Sequence, residues 1–269
     1  MKRGMRLFDA LTRKRLLTVA LVGLFVASAG CAQIPGMGGG DGGDGGSSDI
    51  AAYTESGDEL DGETVSSDHA AALEETDSFT YEVTFEAADG ESSLSIDAHV
   101  EADTESDEAY SVQESNFLGN QTAYKYTSGN ATYEKTVREG DEENAQYTTS
   151  EDGAVEPVNT TPSFQASLVD GLEWSQEGTE ELNGVGVTRY ESTGVANVTA
   201  LVGAGTDAGN VTNVSATMLV DADGVVRRYD LTYTVVEADS ETTVTYEVET
   251  TDVGSTSVEE PDWLDEARN

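Results

Sequence analysis

Two histidines, one cysteine and 53 carboxylates are the side chains from which this 269-residue chain would have to build any chemistry. His69 falls in an Ala-rich stretch that reads as a helix, and His99 on the polar side of a strand pattern. Neither is set against a nucleophile by sequence context. No Gly-x-Ser-x-Gly elbow and no Lys-containing phosphate loop occurs, and no CxxC or HExxH spacing offers ligands to a metal. The carboxylates are so frequent that no single pair stands out as general acid and base. The chain is therefore expected not to be an enzyme, with no catalytic residues, no metal and no cofactor. Asp221-Ala222-Asp223-Gly224 opens like a calcium loop, but the twelfth position, where a bidentate Glu is required, is Thr232. A hairpin turn is the better reading of those four residues.

The cysteine carries a different chemistry. As the only one in the chain, Cys31 has no intramolecular disulfide partner. It follows a basic start (Lys2, Arg3, Arg6, Arg13, Lys14, Arg15), an apolar run from Leu16 to Ala29, and the small residues Ser28-Ala29-Gly30. A run of that length is short for a spanning helix, which needs about 20 apolar residues, and the three parts in that order describe a signal peptide. Ala27-Ser28-Ala29-Gly30-Cys31 resembles the lipobox of lipoproteins, in which the sulfur is lipidated and becomes the first residue of the mature chain. Residues 1–30 are thus expected to be removed, and a lipid on Cys31 to hold the protein to the cell membrane, facing the exterior. Thr12-Arg13-Lys14-Arg15-Leu16-Leu17 loosely resembles a twin-arginine export signal, with Lys14 interrupting the Arg pair; the export route stays open between that and general secretion.

Removing residues 1–30 takes six bases and one acid, and leaves 52 acids against seven bases, a formal charge of −45. Self-repulsion of that size opposes compaction in dilute buffer, and molar salt, with a Debye length of about 3 Å, screens it. The composition resembles that of haloarchaeal proteins. No basic patch is available to meet phosphates, so nucleic acid is excluded as a partner. Six Asn-x-Ser/Thr sequons, at Asn120, Asn130, Asn159, Asn197, Asn210 and Asn213, are possible glycosylation sites of an exported chain, with at least one expected to be used.

The elements that position these residues follow from periodicity. Residues 31–62 are a Gly/Asp/Ser-rich tether, and 63–269 form one β-rich domain. It opens on a helix through Ala70-Ala71-Ala72-Leu73, for which Ser66 or Ser67 can serve as cap. The period then switches to two: Phe79, Tyr81, Val83 and Phe85 alternate with polar residues, Ala88-Asp89-Gly90 turns the chain, and Leu94, Ile96, Ala98 and Val100 answer as the second strand of a hairpin. Further strands are predicted near 108–116, 121–127, 131–138 and 184–191, with three more whose faces are Val214–Val220, Tyr229–Val235 and Val244–Val248. A short helix is predicted over 162–172, and 195–204 reads as helix or loop. Near the terminus Trp263 is expected to dock against the body. Clean alternation predicts a large curved antiparallel sheet with one wet face and a few short helices on its concave side. On its inward face stand Phe79, Tyr81, Phe85, Tyr229, Tyr233 and Tyr246, either as ordinary core or as the wall of a cavity for an apolar ligand; no catalytic role is attached to them.

This order of elements resembles the LolA/LppX-like superfamily of lipoprotein carriers and lipid-binding lipoproteins. The resemblance rests on the opening helix, the Ser78-Phe79-Thr80-Tyr81 strand, the strands with Tyr124-Lys125-Tyr126 and Thr132-Tyr133, the helix before Trp174 and the closing Val220–Arg228 hairpin. It implies an α+β half-open barrel lidded by helices that binds a lipid or other hydrophobic ligand; the module is expected to be a monomer at the membrane and, from its residues, non-enzymatic. The alternative is a structural or interaction protein of the cell envelope with no small-molecule ligand. None of the superfamily's ligand contacts maps onto this chain by motif.

Overall fold

A computed structural model describes residues 60–90, 92–117, 119–150, 166–203, 210–237 and 240–268. The signal segment, Cys31, most of the tether and Asn159 lie outside these residues.

Helix α1 spans Gly62–Glu75. Asp61 caps it, accepting from the backbone N–H of Thr64 at 2.7 Å, and Leu60 before it is buried. Ser66 and Ser67, the expected caps, lie inside the helix. An Asp at the end of a Gly/Asp tether is indistinguishable by composition from its solvated neighbours, which is why the earlier start was missed.

Strands β1 (Ser78–Ala88), β2 (Ser93–Asp103), β3 (Glu108–Ser115), β4 (Gln121–Ser128), β5 (Ala131–Arg138) and β6 (Gln146–Ser150) follow as successive hairpins. Helix α2 (Ala166–Asp170) then leads into β7 (Leu172–Leu182) and β8 (Val185–Val195). Helix α3 (Val198–Val202) precedes β9 (Val211–Asp221), β10 (Val226–Glu237) and β11 (Ser240–Thr251), and a last turn, α4 (Leu264–Ala267), ends the chain. All eleven strands form one antiparallel sheet in the order β6-β5-β4-β3-β2-β1-β11-β10-β9-β8-β7. The sheet is curved and does not close, since β6 and β7 are its two edges. The predicted large antiparallel sheet with a few short helices is what the structure contains. Its centre is the pairing of β1 with β11, the single neighbour relation that is not sequential.

The strand register carries side chains across the sheet in rows. One row is Val83, Val248, Tyr229 and Met218; the next is Phe85, Tyr246, Leu231 and Ala216. All eight are buried, and they face the three helices. Those helices form one layer. The N–H of Gly62 donates to Asp170 at 2.8 Å, and a Cβ built on Gly62 would stand 2.1 Å from the carbonyl oxygen of Ala166, so only glycine allows α1 and α2 to meet there. The carbonyl of Gly171 accepts from the N–H groups of Ala196 and Asn197 ahead of α3.

The expected single wet face is corrected on one side. Over β3–β6 the outer face carries Tyr110, Tyr124, Tyr126 and Tyr133, and the segment after β11 crosses it. Gly254 N–H donates to the Ser78 carbonyl at 2.7 Å, Thr256 and Thr80 hydroxyls meet at 2.9 Å, and Trp263 and Leu264 are buried with Tyr126. Trp263 does dock, on the face opposite the main core.

Candidate functional site

The inner face of the central strands is the site to be built. Period-two alternation places Phe79, Tyr81, Val83 and Phe85 on one side of β1, and the register sets Tyr246 opposite Phe85, Thr250 opposite Tyr81, and Tyr229 opposite Val248. The six aromatics singled out in the sequence share this face, and none is more than 7% exposed. Tyr229 and Tyr246 pack edge to face, 6.1 Å between centroids; Trp174 lies 6.1 Å from Tyr229, and His69 of α1 lies 6.5 Å from Tyr81. An aromatic seam thus runs from the start of β7 to the lid helix.

Polar atoms in this seam are unevenly satisfied. The Tyr229 hydroxyl donates to the Leu168 carbonyl of α2 at 3.4 Å, and the Trp174 indole N–H to the Val169 carbonyl at 3.0 Å, so the short helix is pinned to the wall by two side chains. The hydroxyls of Tyr81, Tyr246 and Thr250 are buried without a well-formed hydrogen bond. Tyr81 and Tyr246 are close enough to perturb each other, and burial pushes both phenols up. The middle of the wall therefore carries polar atoms among its apolar ones.

At the other end of the seam, His69 ties α1 to the sheet. Its Nδ1 accepts the Val226 N–H at 3.1 Å, which places the neutral ring's proton on Nε2. Burial, with Arg227 nearby, pushes its pKa down to about 4. Arg227 is paired at 2.5 Å with Asp221. The other Asp221 carboxylate oxygen accepts from the N–H groups of Asp223 and Val225, and Gly224 turns back with φ +90°. The Asp221–Gly224 segment is thus a hairpin turn, as read. His99 is on the outer face, between Glu82 and Glu101. Among the described residues no three of His, Cys, Asp and Glu gather where a metal ion would sit.

What the sequence did not single out is where the wall emerges. On β2 the inward residues Ile96, Ala98 and Val100 pack against the core yet remain half-exposed, while their partners on β1 (Phe85, Val83 and Tyr81) are buried. The apolar face therefore continues onto β2, where its middle residues are incompletely covered. Phe117, in the β3–β4 loop, packs beside it. Period-two alternation marked these residues as inward-facing; how far the helices reach is a property of packing that carries no sequence signal.

The sequons fall in distinct settings. Asn130 is exposed at the turn into β5, and Asn120 is exposed with its amide donating to Glu139. Asn197 caps α3, accepting from Ala200 N–H at 3.2 Å. Asn210 is half-buried ahead of β9, and Asn213 is exposed within β9 at φ +53°.

Against known proteins, the family DUF7537, described as a family of unknown function, matches residues 15–267. No curated protein matches the chain. Among solved structures, LprF from Mycobacterium bovis is 13% identical, over 75% of this chain and 96% of its own, at a TM-score of 0.35. The Mycobacterium tuberculosis lipoprotein LppX is 13% identical, over 73% and 98%, also at 0.35. A LolA superfamily protein from Nitrosomonas europaea is 10% identical, over 76% and 97%, at 0.24.

Proposed function

This chain belongs to DUF7537, a family of unknown function, and we propose that it is a membrane-anchored, non-enzymatic binding module that holds an apolar ligand between its sheet and its helices. One observation carries the reading: the inner apolar face continues onto β2, where Ile96, Ala98 and Val100 are half-exposed beside a buried aromatic wall. Contiguous exposed apolar surface on a soluble domain marks a binding site. The deeper wall of Phe79, Tyr81, Phe85, Tyr229, Tyr233 and Tyr246 is reached when the helix layer shifts. Helices α2 and α3 have five residues each, too short to be stable on their own, so their position depends on a few contacts that a ligand can replace. The lipid on Cys31 and the tether after it keep the domain at the outer surface of the membrane, where apolar ligands are exchanged. Any glycan is carried by the exposed sequons, Asn130 first.

The test is a bulky charge in the open strip. Ala98 is half-exposed, so Ala98→Glu leaves the fold in place. Binding of a neutral apolar fluorophore to the full chain, and the lipid that co-purifies with it by mass spectrometry, are compared with wild type. Loss of both at an unchanged melting temperature supports the reading. Unaltered binding in Ala98→Glu, or a wild-type protein that takes up neither, overturns it.

A further inference from the structure

Beyond β2 the inner face changes character while remaining one continuous surface. The register extends the row of Tyr81 through Val100 and Ser111 to Lys125. The row of Phe85 extends through Ile96, Ser115 and Gln121 to Arg138. Each row passes from a buried aromatic to a half-exposed aliphatic residue and then a small serine; the first goes on through Lys125 to Glu134, the second through Gln121 to Arg138. With strands about 4.8 Å apart, Lys125 stands about 10 Å from Val100 across the sheet.

These two cations are unusual in this molecule. Only seven Lys and Arg follow residue 30, against 52 acids. Arg189, Arg227, Arg228 and Arg268 are engaged with carboxylates, and Lys135 sits over the Tyr124 ring on the outer face. Among the described residues Lys125 and Arg138 have no carboxylate within ion-pair distance. Glu134, opposite Lys125, accepts instead from the Thr148 hydroxyl at 3.1 Å. Glu134 is also the single acid that β2–β5 place on the inner face, whereas β2 alone puts Asp97, Glu101 and Asp103 on the outer. In a chain with 52 acids against seven bases after residue 30, a surface bearing two bases and one acid is set apart from the rest.

Resting on the apolar-ligand reading, we propose that the ligand is an anionic amphiphile: its hydrocarbon chain lies along Ile96, Ala98 and Val100 toward the aromatic wall, and its acidic headgroup meets Lys125 and Arg138. The same arrangement explains retention of an anion by a domain whose overall charge repels it, because the two cations act at contact distance while the acids of the outer face act through water and salt.

The experiment uses two probes that differ only in the headgroup, cis-parinaric acid and cis-parinaryl alcohol, whose fluorescence rises on burial. Each is titrated at pH 8 into the full chain carrying Cys31→Ala, which frees it of its own lipid, and into the same chain with Lys125→Gln and Arg138→Gln. The acid is expected to bind about five- to tenfold more tightly than the alcohol, and the double variant to erase that preference while leaving the alcohol unchanged. Equal affinities for acid and alcohol in the parent, or a preference that survives the double variant, overturn the anionic headgroup and leave the apolar site standing. Failure of both probes to bind overturns the underlying reading and the inference with it.

Discussion

His69 gives the domain's stability a pH dependence whose size follows from its environment. The imidazole is buried between α1 and the β9–β10 hairpin, accepts the Val226 N–H, and has the Arg227 guanidinium nearby. Protonation would put a second positive charge beside Arg227 in a dry site and break that hydrogen bond. The pKa accordingly falls from 6.5 to about 4. With the folded pKa below the unfolded one, the native state binds fewer protons than the unfolded chain, so stability drops as the pH drops. The loss begins near the unfolded pKa of 6.5, reaches about 2 kcal/mol at pH 5, and levels off below a folded pKa of about 4 at about 3 kcal/mol. With a urea dependence of about 2–3 kcal/mol/M for a domain of this size, the midpoint moves down by roughly 0.7–1 M between pH 8 and pH 5. The assay is urea unfolding followed by tryptophan fluorescence at molar salt, in wild type and in His69→Gln, which stays neutral. Surface carboxylates titrate alike in both proteins, so the difference between the two pH profiles isolates the imidazole. His69→Gln should be less stable at pH 8 and much flatter from pH 8 to pH 5. Parallel profiles would refute the assignment of the acid sensitivity to this side chain.

Two further outcomes test other links of the argument. Cys31→Ala should move the protein from the membrane fraction to the medium with its folded domain unchanged, as read by fractionation and circular dichroism; continued sedimentation with membranes would show that the anchor lies elsewhere. Trp263→Ala should lower stability by about 3 kcal/mol, the low end for a buried Trp because the outer cluster is small and can relax; a change under about 1 kcal/mol would mean that the C-terminal segment contributes little cover.

Legibility in the sequence followed the physics of each element. The β1–β2 hairpin and the last three strands were readable because one face of each is buried, and burial writes a period of two into the residues. Strand β6 was not readable, since all five of its residues are exposed and nothing constrains their hydrophobicity. Strand β7 was hidden for the same reason: between Trp174 and Leu182 it is a run of polar residues at a sheet edge. The six aromatics could be assigned to one face because their strands are neighbours. For Tyr124 and Tyr126 alternation gives a face but no sign, and the register through β3 and β2 is what sets them on the outer side with Glu101 and Thr80. The sequence placed His69 on the opening helix but left open whether it is structural or on the surface, because its hydrogen-bond partner, Val226, lies 157 residues away.

The inversion of faces between the two halves of the sheet explains how one surface can be apolar at one end and solvated at the other. A stretch of sheet needs at least one dry side to resist fraying. Over β1, β11, β10 and β9 the helices supply it from within. Over β4–β6 residues near the end of the chain cover the outer side. The segment from Thr251 to Arg268 turns at Asp252 and Gly254, both with positive φ, and lays Trp263, Leu264 and Arg268 over the outer tyrosines, with Thr149 donating to the Ala267 carbonyl at 2.9 Å. Once the outer side is dry, the inner side of β3–β5 is released from any need for apolar residues and can hold Ser111, Gln113, Lys125 and Arg138 in water. The half-exposed residues of β2 sit at the crossover, where neither cover reaches. An amphiphilic surface is therefore a consequence of covering one sheet from opposite sides at its two ends.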